Sequence, residues 1–319
     1  MRASLAAPGI GGAAVGAMMD PFAGLHWWTS QGLPAVQGAL RSILPFRWAQ
    51  YDFALNALIE CMLLAPICAM MGVKIVNFRM AFFSDAISHS AFTGVALGFL
   101  FNEMFERVGR RFDPRVALIL FGLLVGLGIA VVRRKTDLST DTVIGVFFSA
   151  AVALGLAIVT TSAARTAEFN RYLYGDILTL DAADLALSAL PAVGVLLFMI
   201  VSFNRLTLIG LNDELAHSRG VSVRAYDYAF SLLLALVVTV SIRTSGILLV
   251  TAMLVVPAAT ARNLARSAGG MFWWAVLFGL LSSLAGTVVS FYMESIGTGA
   301  AIVIAATILF VLSLLLRRR

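Results

Sequence analysis

Apolar residues run along this 319-residue chain in long blocks, broken by short polar clusters. A bilayer core needs about 20 apolar residues per helix. Blocks near that length lie at 53–72, 80–102, 116–132, 142–162, 183–203, 227–243, 246–261, 271–293 and 298–316. The pattern predicts an all-α, polytopic integral membrane protein of eight or nine transmembrane helices. The sixth and seventh blocks are short and joined by IRTSG, which suits a tight hairpin or a partly re-entrant pair. The linkers reach only about twenty-five residues, which leaves no room for a soluble domain.

Three regions follow. Residues 1–52 read as an uncleaved, partly disordered N-terminal extension, because Pro8 and several glycines interrupt anything like a signal peptide. The end of the extension, LPFRWAQYDFA, mixes aromatics and charge as an interfacial helix does. Residues 53–316 form the transmembrane domain, and 317–319 a basic tail.

Composition supports the membrane class. The chain is 60% hydrophobic and 13% charged, against about 45–50% and about 25% in soluble domains. Mean hydropathy is +0.93. The net charge of +6 sits in short clusters between apolar runs, which suits loops beside anionic lipid. No basic stripe with interleaved aromatics appears, so a nucleic-acid face is excluded. Placing Arg317, Arg318 and Arg319 inside puts Lys74 and Arg79, the Arg133–Lys135 run, Arg205, Arg219, Arg224, Arg262 and Arg266 in cytoplasmic loops. Arg107, Arg110, Arg111, Arg115, Arg165, Arg171 and Arg243 then fall outside, a bias in the same direction. Runs such as GLLVGLGIA and GVFFSAAVALGLA let helix backbones approach closely, so a packed bundle is expected.

Chemistry concentrates in the second block. Asp85, His89 and Thr93 recur every four residues as one polar stripe. Ala86, Ser90, Gly94 and Gly98 form a neighbouring stripe of small residues for helix packing. At about 1.5 Å per residue, His89 lies about 15 Å beyond Arg79, near the midplane. An Asp at a helix centre costs roughly 2.5–3.5 kcal/mol, which something must offset. Two readings stand side by side: a ligand pair for a divalent transition metal, or an Asp–His pair that holds helices together. Two ligands do not close a site, since zinc takes about four. A homodimer with this helix at its axis would supply two of each. Such a set suits zinc or manganese, with iron a third candidate.

Glu60 is the other acid within a span, four residues after Asn56, and reads as a second pathway ligand or an Arg partner. Cys61 and Cys68 lack a CxxC spacing and read as small packed side chains. In the longest cytoplasmic loop, DELAHSRGV reads as a short amphipathic helix ended by Gly220, either a surface helix or a docking helix. The only lysines, Lys74 and Lys135, do not follow a GxxxxG, so there is no Walker A loop, and HExxH and GxSxG are also absent. No resident energy source or hydrolase chemistry is expected.

RMAFFSDAISHSAFTGVALGF at 79–99 resembles the signature helix of permeases of the zinc/manganese/iron class of ATP-binding-cassette (ABC) importers, with Ser84 where that family usually has Gly. TDTVIGVFFSAAVALG, RYLYGDILTL, DELAHSRGVSVRAYDY, GILLVTAMLVVPAATARNLARS and GTGAAIVI resemble further elements of that family in the same order. The resemblance covers residues 51–316. It implies a homodimeric or pseudo-dimeric permease bundle, a solute-binding protein outside and two copies of an ATPase subunit inside. Asp85 and His89 match the family's pathway pair. Glu214, Ala216 and Gly220 sit as in its E-A-A-x-x-x-G coupling loop, with Leu215 at the second position and no downstream I-x-L-P. No permanently bound cofactor is implied, since the metal is the substrate. An ATP-independent metal channel or secondary transporter is the alternative. A chelate permease would need a wide, aromatic-lined cavity.

Overall fold

No water meets a free backbone amide inside a bilayer, so each span must satisfy its hydrogen bonds internally, as a helix does. The computed structural model describes residues 28–43, 47–106, 113–161, 180–293 and 296–316, and every regular element among them is helical. The first 27 residues, the RYLYGDIL element and the three terminal arginines lie outside the described residues. A π-helical turn, Trp28–Gly32, leads into α1 (Leu33–Ile43). The long helices are α2 (Asp52–Asn77), α3 (Ala81–Glu106), α4 (Pro114–Lys135), α5 (Thr140–Thr161) and α6 (Ala182–Leu211). The short α7 (Asp213–Ser218) precedes α8 (Val223–Leu264), α9 (Ala268–Tyr292) and α10 (Thr298–Leu315).

The bundle is built around α8, which lies against α2, α3, α4, α6, α9 and α10 and is buried along most of its length. Its apolar residues surround it on all sides, as befits a core element. Its 42 residues, if straight, would reach about 63 Å, about twice a bilayer core. They do not run straight. Gly246 has φ 77° and ψ 164°, a region that glycine enters at little cost and other residues avoid. Beside this break, Arg243 reaches Asp184 at the start of α6 at 3.3 Å, and Thr244 donates to Glu60 on α2 at 2.8 Å. Near one end of α8, Asp227 meets Arg134 of α4 at 2.9 Å. Near the other end, Arg262 shares a cavity with Arg79, which in turn shares one with Arg134 and Asp227. Both ends of α8 therefore lie at the same end of the bundle, and α8 is a hairpin that turns at Gly246.

Seven helices are long and apolar enough to cross a membrane among the described residues. The helix α3 falls outside that set because Asp85, His89 and its Ser, Thr and Gly residues dilute its apolarity. Counting α8 twice and adding α3 gives nine passes. The α2–α3 turn, the end of α4, the start of α5, the end of α6 and the α8–α9 turn gather at one basic end. Lys74, read from sequence among the loop charges, is instead inside α2 and buried. Its Nζ donates to Thr207 Oγ1 at 2.6 Å and to the Phe203 carbonyl at 3.3 Å, and lies over the Phe203 ring.

At the opposite end, the described part of the extension packs on the bundle. Trp28 Nε1 donates to the Ala182 carbonyl at 3.1 Å, and Gln37 Nε2 to Asn56 Oδ1 at 2.8 Å. Residues 47–50 form a 3-10 turn whose Trp48 is buried and stacked on Phe291 of α9 at 5.1 Å.

Small residues set the closest helix approach. A Cβ added at Gly94 would lie 2.7 Å from Leu118 Cα, and one at Gly98 would lie 2.6 Å from Pro114 Cα. Ser90 is buried and returns its hydroxyl to the Ile87 carbonyl at 2.7 Å. Gly94→Ala should therefore push α3 from α4 and cost about 1–3 kcal/mol of stability. Gly145→Ala, where a Cβ meets nothing within 4 Å, should stay within about 0.5 kcal/mol. Thermal unfolding of the purified chain in detergent distinguishes them, and equal shifts would count against the close contact.

Candidate functional site

Packing between α4 and α5 determines which face of α3 stays open. Asp85 and His89 lie on that face, with side chains 43% and 38% exposed. His89 Nε2 is 3.7 Å from Asp85 Oδ1, too long for a hydrogen bond. Phe148 of α5 meets the imidazole edge-on at 5.1 Å, and Phe82 stands exposed one turn before Asp85. Thr93 does not continue the open stripe. It is buried and donates to the Ala151 carbonyl of α5 at 2.5 Å. Each four-residue step over-rotates a helix by about 40°, which carries the third member of the stripe off the open face.

Glu60 lies elsewhere and is fully buried on α2. Its Oε1 accepts from Ser188 Oγ of α6 and Thr244 Oγ1 of α8, each at 2.8 Å. Its second oxygen has no protein partner. The Arg of that region, Arg243, pairs with Asp184 instead. Hydroxyls, not a guanidinium, therefore hold Glu60 in place. Among the described residues no three His, Cys, Asp or Glu side chains come together, so Glu60 does not join Asp85 and His89. Cys61 and Cys68 are buried free thiols.

At the basic end, DELAHS forms α7. Asn212 caps it by accepting from the Glu214 and Leu215 amides at 2.8 and 3.0 Å. Gly220, at φ 74°, ends it with the left-handed residue of a Schellman motif, whose Val221 amide donates back to Ala216 O at 3.1 Å. Ala216 is fully buried beside Ile209 and Val223, while Glu214 and Leu215 are exposed. The small helix is thus pinned by one face and presents the other.

The profile of the ABC 3 transport family matches residues 50–317. This chain belongs to the ABC 3 transport family. It is 31% identical to the high-affinity zinc uptake system membrane protein ZnuB of Haemophilus influenzae, over 84% of this chain and 99% of that one. It is also 31% identical to the manganese transport system membrane protein MntC of Listeria innocua, over 83% and 91%. Among solved structures it resembles PsaBC from Streptococcus pneumoniae in complex with Fab, with a TM-score of 0.68 at 28% identity, over 88% of this chain and 95% of that one.

In this ABC 3 family member, one cluster escaped sequence reasoning. Asp227, at the start of α8, is buried between Arg133 and Arg134 at the end of α4. Arg134 also reaches Asp213 of α7 at 3.4 Å. The visible signal was a lone Asp in the first turns of an apolar run, but its partners lie more than ninety residues away. Asp227→Ala should leave Arg133 without a carboxylate and Arg134 with only the longer contact to Asp213, and cost about 3 kcal/mol, in the range for a broken buried pair. A thermal shift no larger than that of an exposed control such as Glu214→Ala would count against this role.

Proposed function

We propose that this chain is the membrane subunit of an importer that takes up a divalent transition metal, zinc or manganese first and iron third. The observation that carries the reading is the Asp85–His89 pair, half-exposed on a membrane helix with no third ligand beside it among the described residues. Two donors held at about 2.0–2.2 Å by one tetrahedral ion stand about 3.4 Å apart, close to the 3.7 Å seen here. An open ionisable pair in a membrane helix calls for a partner. A second copy of the chain, apposed along α3, offers the same pair again and brings the donors to four. The names of the relatives, zinc and manganese systems, point to the same cargo.

In this reading the basic end faces the cytoplasm of a bacterium, with the C-terminus on that side and the inner membrane as the site. An extracytoplasmic binding protein delivers the ion to the opposite end. Two copies of a separate ATPase subunit dock on α7, with Ala216 and Gly220 shaping the helix and Glu214 presented to the partner. ATP hydrolysis belongs to that subunit, and this chain supplies the path. Glu60 is a minor candidate as a second ligand further along, since its Oε2 is unpartnered and its depth differs from that of the main pair.

Metal uptake by proteoliposomes holding the full transporter tests the site. Asp85→Asn and His89→Ala should each lower uptake about tenfold or more, since even outer partners of a metal ligand cost about 10–100-fold. Wild-type uptake in both would remove the ligand assignment, and uptake without the ATPase or ATP would favour a channel. Glu214→Arg should weaken capture of the ATPase subunit by the full chain in a pull-down. Unchanged capture would separate α7 from docking.

A further inference from the structure

A cavity of about 460 Å³ opens at the basic end among the α2–α3 turn, the end of α6 and the α8–α9 turn. Its polar lining includes Arg79, Arg262, Arg266, Asn77, Thr207 and Ser267. No carboxylate lies within ion-pair distance of these three arginines among the described residues. Arg133 and Arg134 of the neighbouring cavity, by contrast, are paired with Asp227 and Asp213. Three unneutralised guanidinium groups round one hollow call for an anion with several oxygens.

Three further features bear on that anion. The 25-residue helix α9 starts at the cavity wall, and its first turn holds no acidic residue. Ser267 Oγ accepts only the Gly270 amide, at 3.1 Å, and no side chain stands over Gly269. The amides there add to the positive field. Arg79 occupies the left-handed position after α2, at φ 54°, where glycine is usual. It is the only non-glycine residue with positive φ among the described residues, and it lines both basic-end cavities. Finally, α9 leaves the cavity with Trp273 and Trp274 exposed, followed by exposed Leu277, Leu281 and Leu284. Exposed tryptophans mark the membrane–water interface, which sets the cavity beside the start of α9 at headgroup depth.

We propose that this cavity binds the phosphate headgroup of an acidic phospholipid. A free phosphate would use the same arginines but would not depend on a cavity at headgroup depth. A basic hollow between membrane helices, open to the headgroup layer, is the setting in which acidic lipids bind.

Native mass spectrometry of the full chain in detergent, titrated with phosphatidylglycerol or phosphatidylcholine, tests this. Phosphatidylglycerol should bind and phosphatidylcholine should not compete. Arg262→Ala with Arg266→Ala should weaken binding about twenty-five-fold, at about fivefold per arginine. Both residues are exposed, so the chain should stay folded. Arg79→Gly should weaken binding while its melting temperature holds or rises, because glycine takes that φ freely. Arg219→Ala with Arg224→Ala removes the same charge elsewhere and should bind as wild type. Equal binding by the Arg262/Arg266 variant, or equal loss in the control, overturns the proposal. So does displacement by inorganic phosphate at the lipid's concentration, which would mark a free-phosphate site.

Discussion

An ionisable side chain in a membrane helix must be met by a partner, by water or by its own neutralisation, and the inside of this bundle is arranged around that demand. Glu60 is met by Ser188 and Thr244. Asp184 is met by Arg243, and Lys74 by Thr207 and a carbonyl. Each of these contacts joins two helices far apart in sequence, so satisfying the charge also fastens the bundle. Asp85 and His89 differ, because their nearest ionisable neighbour is each other and both face outward. The place where the protomer leaves the demand unmet is the place proposed above for cargo and a second copy.

The hairpin at Gly246 makes several of these contacts geometrically available. It returns α8 to the basic end, so that one element carries Asp227 against α4 at its start and Arg262 beside α2 and α6 near its finish. Its apex brings Thr244 to Glu60 and Arg243 to Asp184. A straight helix of this length could not return to the basic end. Just ahead of α8, α7 lies beside the ion cluster of Arg133, Arg134 and Asp227, which its Asp213 joins, so a load on α7 meets the ends of α4 and α8 directly.

Much of the architecture was legible in the chain. The apolar blocks placed the helices within about five residues, apart from the end of α6, which runs on to Leu211, because a span buried in lipid must be apolar along its length whatever it packs against. The polar stripe of α3 was legible because a charge in such a block has no ordinary reason to be there. The end of α7 was legible because a left-handed cap favours glycine. Less legible were the exits of Lys74 and Thr93 from their expected settings. Lys74 needed a crevice formed by α6, and Thr93 needed the neighbouring α5 to show where the helix face turns inward.

The division follows the range of the forces. Helix positions, the Asp85–His89 spacing, the caps of α7 and the basic bias of one set of loops are local, carried by hydropathy, periodicity and backbone preference, and the sequence determined them by itself. The reversal at Gly246, the burial of Glu60 among hydroxyls, the sharing of Asp227 by two arginines and the three-arginine cavity join residues tens to hundreds of positions apart. Only tertiary packing decided these, because a charge or hydroxyl in a membrane is satisfied by whichever helix arrives beside it, and no local pattern records which one that is.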